Sequence, residues 1–118
     1  MPSKMYILVR EKMIKEHFGL AVTSVAHAGA AAILEWWSYP ELINNPDKVM
    51  EDWLNTSFRK VICKVSEEQF DQAMKDFGPC KESYLLMIES AINNENMCLV
   101  FRPREEWPTF FKYLSLWK

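Results

Sequence analysis

Cysteine is sparse in this sequence. Its three residues, Cys63, Cys80 and Cys98, are an odd number with no CxxC spacing, a pattern that supports neither a disulfide framework nor a zinc site. Three reduced, mostly buried thiols are expected. Histidine is rarer still, and His17 and His27, ten positions apart with no cysteine nearby, make a poor metal site. No metal and no cofactor are expected. No apolar run approaches the roughly 20 residues of a spanning helix, since the longest helical candidate is interrupted by Thr23, Ser24 and His27. The segment from Met1 to Tyr6 carries one lysine and no small-residue cleavage site, so a cytoplasmic protein is expected rather than a secreted or membrane-bound one. The Asn55-Thr56-Ser57 sequon then reads as a turn. Neither sign of charge dominates: 14 basic residues face 16 acidic ones, for a net charge of −2. That balance argues against a protein built on non-specific nucleic-acid binding.

What the chain does have is ordinary globular material. Its 118 residues, 49% hydrophobic and 25% charged, suit one domain with a real core. With no repeat, low-complexity tract or long linker, a single domain over residues 1–118 is expected. Apolar residues fall on both parities from Met5 to Val9 in Lys4 to Glu11, as in a central strand covered on both faces. Gly19 to Leu34 is Ala-rich and free of proline, which predicts a long buried helix. Asn45-Pro46-Asp47 caps a short helix reaching about Trp53. Val61, Cys63 and Val65 alternate with Lys60 and Lys64, a half-exposed strand.

The clearest punctuation is Ser66-Glu67-Glu68-Gln69, a capping box, followed by Phe70, Ala73, Met74 and Phe77 at helical spacing up to Gly78-Pro79. Tyr84 to Ile88 and Met97 to Phe101 predict two strands joined by a polar loop. Pro103 to Tyr113, broken by Pro108, predicts one kinked helix or two short ones. The resulting order β, α, α, β, α, β, β, α points to an α/β, three-layer α/β/α domain with a mixed four-stranded sheet.

One family shares this order. The strand KMYILVRE leading into a Gly-led, Ala-rich helix that contains His27-Ala28 resembles the opening of the type II peptidyl-tRNA hydrolases, and Trp53 stands seven residues before Lys60, a spacing that the family shares. The resemblance covers nearly the whole chain. It implies an esterase acting on peptidyl-tRNA, tRNA as a partner, and a homodimer. The departures are specific: Leu20 stands where the family has a functional lysine, Thr23 where it has a helix glutamine, and Ser57 where a glycine is usual. The family's Asp-Ala-Gly-x-Thr segment aligns with Glu89-Ser90-Ala91-Ile92-Asn93.

Cleaving an ester needs a group that activates or positions water and a donor for the developing oxyanion. The resemblance points to Glu89, Asn93 and His27 as catalytic candidates and to Thr23, at the place of the helix glutamine, as a substrate-binding one. Arg10, by its place at the strand end, and Lys15, as an ammonium from elsewhere, are the other substrate-binding candidates. Each has a plainer account. Glu89 suits a strand-end acid, Asn93 a turn, His27 a buried helix histidine, and Lys15 an exposed loop lysine. Arg10, at the end of the first strand, suits a phosphate contact or a salt bridge to an acid such as Glu89. Trp107, Phe110, Phe111, Tyr113 and Trp117 suit the apolar face of a helix or a base-stacking surface, with Trp117 as a candidate subunit contact. Trp36, Trp37 and Tyr39 hold a second candidate interface. Two readings stay open: a hydrolase, and an inactive family-like scaffold that binds a small ligand or a protein.

Overall fold

The computed structural model describes residues 3–34, 48–77 and 84–118. The expectations for Trp36, Trp37, Tyr39, the Asn45-Pro46-Asp47 cap, the Gly78-Pro79 stop and Cys80 lie outside the described residues.

The strand with apolar residues on both parities is indeed central. β1 (Lys4–Arg10) pairs in parallel with β2 (Arg59–Val65) and antiparallel with β4 (Glu95–Phe101). β4 pairs antiparallel with β3 (Tyr84–Glu89). The two parities of β1 feed two cores. Met5, Ile7 and Val9 pack with Met50, Trp53, Met97 and Val100 and with the alanines of α2 (Phe18–Ala32), while Tyr6 and Leu8 pack with Phe70, Ala73, Leu99, Trp107 and Phe111. A sheet between two helical layers follows from that alternation.

The sheet has five strands, not four. β5 (Ser115–Leu116) lies antiparallel on β2, giving the order β3-β4-β1-β2-β5. Two residues carry no alternation to read, and their partners Cys63 and Lys64 are far away in sequence. The same contact corrects the expectation of one aromatic face in the tail. The terminal helix α5 is only Thr109–Lys112, Phe111 is buried, Tyr113 is exposed, and Trp117 crosses to the opposite core, where it packs edge-on against Phe18.

Two further corrections concern the first crossover. Lys15 lies in a short helix, α1 (Glu11–Glu16), not in a loop, because Met13 is buried and Glu11 and Lys15 stand one turn apart. α2 is buried along one side only, through Ala21, Ser24, Ala28, Gly29 and Ala32, and His27 is exposed. The composition suggested full burial, but the helix covers the sheet from outside.

α3 (Lys48–Asn55) ends in a tight turn at Thr56 and Ser57, as the sequon reading expected. Phe58 then takes a left-handed φ of 48°, its N–H donating to the Trp53 carbonyl. A non-glycine residue is rare in this region. Its ring stacks against that of Trp53, which is fully buried and donates Nε1–H to the Arg59 carbonyl. α4 (Glu67–Phe77) begins as the capping box predicts: the Ser66 hydroxyl accepts from Gln69 N–H, and the Gln69 side chain accepts from Ser66 N–H. No helix among the described residues is long and apolar enough to cross a membrane.

Candidate functional site

A cleft of about 290 Å³ opens between α2 and the end of β3. One wall is helical. Thr23 and His27 stand one turn apart on the exposed side of α2, with Ser24 beside them. The other wall is Met87, Ile88 and Glu89 of β3, continued by Ser90 and Asn94 in the connection to β4. A register shift in the β3–β4 ladder falls between Met87 and Ile88. Such an irregularity re-aims the side chains that follow it.

The connection itself is tightly built. Ser90–Ile92 form one 3₁₀ turn, and Asn93 and Asn94 both take φ of 59°, a conformation that asparagine tolerates better than most residues. Glu89 Oε1 accepts the Ala91 N–H at 3.1 Å, capping that turn. Glu89 is half-buried as a residue, and its carboxylate holds the turn through an exposed hydrogen bond. Across the hairpin, Glu89 lies directly opposite Glu95.

Of the six candidates, the structure brings Thr23, His27 and Glu89 together at this cleft. Thr23 donates its hydroxyl proton to the Gly19 carbonyl at 3.0 Å, which leaves its oxygen as an acceptor. Asn93 is an exposed turn residue, and its neighbour Asn94 lines the cleft instead. Lys15 is exposed and paired with Glu11 at 3.1 Å. Leu20 is half-buried and packs against the core that α2 shares with the sheet.

Arg10 leaves β1 on the parity of Tyr6 and Leu8, the face covered by α4. Its acids are Glu67 and Glu95, not Glu89. Glu67 takes Nε–H and Nη2–H in a fork of 3.0 and 2.6 Å, and Nη1 donates to Glu95 Oε2 at 3.0 Å and to the Asn96 carbonyl at 2.6 Å. These four bonds engage all but one of the guanidinium's five N–H groups. Hydrogen bonding to Glu67 raises the Arg10 pKa against the opposing effect of burial, and the same bond lowers that of Glu67.

Behind the cleft, Ser24 Oγ lies 3.4 Å from Cys98 Sγ, and burial pushes the Cys98 thiol up to about 11. It is neutral packing at ordinary pH. Among the described residues no cluster of three or more His, Cys, Asp or Glu stands ready to hold a metal ion.

The family model of Peptidyl-tRNA hydrolase PTH2 matches residues 3–106, from the start of β1 past the end of β4. The chain belongs to this peptidyl-tRNA hydrolase family. A comparison with curated proteins finds no match. For this peptidyl-tRNA hydrolase family member, the sequence reasoning missed Ser24, Met87, Ile88, Ser90 and Asn94 as cleft residues. Ser24 was legible as the residue after Thr23 on the same helix. Met87 and Ile88 were not, since an apolar strand does not say which residue lies at a rim.

Proposed function

We propose that the protein hydrolyses the ester joining a peptide to tRNA, in the cleft between α2 and the β3 end. The observation that carries this reading is that Thr23 and His27, on one helix, face Glu89, more than sixty residues later, across one opening. In the proposed reaction His27 takes a proton from the attacking water as the oxygen adds to the ester carbonyl. Glu89 orients that water and balances the imidazolium, and Asn94 donates its amide to the developing oxyanion. Collapse of the tetrahedral intermediate breaks the bond to the ribose oxygen, which recovers the proton from His27. The products are the free peptide and tRNA. Membership of the family supports tRNA as the partner and, with it, a cytoplasmic setting. The exposed Phe18 and Val22, one turn apart on α2, support a homodimer.

A second reading has its own observation. Leu20, at the position of the family lysine, packs against the core, and neither Lys nor Arg is among the described residues lining the cleft. A scaffold that binds an uncharged ligand or a protein without hydrolysis fits those facts. The two readings separate on release of N-acetyl-amino acid from N-acetyl-aminoacyl-tRNA. Multiple turnover by the wild type, falling by on the order of 10² to 10⁴ in Glu89→Gln and in His27→Ala, is expected. No turnover by the folded wild type overturns the hydrolase and favours the scaffold.

A further inference from the structure

The acid that lines the cleft has a like charge as its cross-strand neighbour. Glu89 and Glu95 are directly opposite partners in an antiparallel pair, where two carboxylates repel and destabilise the ladder. Glu89 shares the parity of Leu85 and Met87, on the side of the sheet that α2 covers, and lines the cleft. Glu95 does not share that environment freely, because its Oε2 accepts from Arg10 Nη1. The same Nη1 also holds the Asn96 carbonyl, so the head of β4 is pinned through both a side chain and the backbone. The other edge of the guanidinium is anchored to Glu67, at the first turn of α4. Three elements that are distant in sequence therefore meet at one buried guanidinium. Immediately before Glu95 stands Asn94, a cleft residue with a left-handed φ, so a displaced β4 head moves Asn94 with it.

We propose that Arg10 is a positioning residue of the cleft: it neutralises Glu95 and fixes the head of β4, so that Glu89 alone carries charge at the opening and Asn94 keeps its place. Arg10 touches no substrate in this arrangement. Its guanidinium is side-chain buried to 9% exposure and faces α4, away from the cleft. A lysine in its place keeps a charge but not the fork that reaches Glu67 and Glu95 together. The kinetic part of the proposal rests on the hydrolase reading, whereas the geometric part does not.

The test uses the full-length protein as wild type, Arg10→Gln, Arg10→Lys and the double variant Arg10→Gln with Glu95→Gln, each measured on its folded fraction. In hydrolysis of N-acetyl-aminoacyl-tRNA, Arg10→Gln is expected to lower kcat by on the order of tenfold to a hundredfold with KM unchanged. Arg10→Lys falls between, and the double variant recovers much of the loss because the repelling charge has gone. In ¹⁵N–¹H spectra, the Ala91 backbone amide, which Glu89 accepts, and the Asn94 side-chain amide shift in Arg10→Gln and return toward the wild-type positions in the double variant. If the wild type turns nothing over, the hydrolase reading fails and the two amides still decide the positioning role. Folded Arg10→Gln with wild-type kcat, or with both amides unmoved, overturns the proposal. So does a double variant no better than Arg10→Gln, since the charge left on Glu95 is then not what disturbs the cleft; the split between kcat and KM, and not the rescue, separates positioning from a merely structural ion pair.

Discussion

At the scale of single residues, Arg10 and Leu20 stand in contrast, one paired with acids and the other packed on the core. Arg10 is a cation brought out of water and matched by two half-exposed carboxylates. The fork to Glu67 lowers that glutamate's pKa from its ordinary value of 4.5. A lowered pKa means that the folded state binds this proton less readily than the unfolded chain. The pair's stabilisation is therefore complete above about pH 4.5 and is lost as the pH falls through the lower, folded value. Glu67→Gln is expected to shift the urea midpoint downward at pH 7 and to leave it closer to the wild type near pH 3, when both proteins are measured across that range. An equal gap at both pH values would show that the charge on Glu67 is not what matters. Leu20 makes the opposite choice, trading a cation for packing against the core. If turnover is found, the role of the family lysine has passed to other groups, and among the described residues lining the cleft His27 is the basic side chain.

At the scale of elements, α2 and α4 solve different problems. α4 presents one buried stripe with Phe70 and Ala73, and a capping box of contiguous residues marks its start. Removing the Ser66 hydroxyl leaves Gln69 N–H without its cap, so Ser66→Ala is expected to cost about 1 kcal/mol in equilibrium urea denaturation. α2 has no cap hydrogen bond from a side chain and no acidic or basic residue in its end turns, and its small buried residues let it lie close on β4 and β3. Tertiary packing specifies it, which is why its exposed side is free to present Thr23 and His27. The capping box was readable because its four residues are contiguous. The six-residue α1 was not, since so short a helix shows too little periodicity and is held by the burial of Met13.

At the scale of the whole molecule, β1 carries two cores and β5 closes one edge. Ser115–Leu116 cover the outer edge of β2, and Trp117 N–H donates to the Ile62 carbonyl while its ring packs on the core beside α2. Truncation after Leu114 uncovers that edge and removes the tryptophan. The shortened protein is expected to self-associate with rising concentration, because an uncovered strand edge pairs readily with another chain. Light scattering across a concentration series checks this, and a truncated protein with the wild-type profile would show that β5 is dispensable as a cover.

The division between what could be read and what could not follows the range of each interaction. The central strand, the capping box, the helix carrying Thr23 and His27, and the hairpin strands are recorded in alternation, helical spacing and contiguous polar groups, so the sequence alone determined them. The likeness in KMYILVRE, His27-Ala28 and Trp53 to Lys60 was enough to name the family that the comparison then returned. Only the tertiary structure decided the fifth strand, the exposure of His27 and the partners of Arg10. The two acids on Arg10 lie 57 and 85 residues away along the chain, and no local pattern distinguishes them from the other carboxylates. Their choice depends on which strand ends the sheet brings together, and that is set by burying both faces of β1 at once.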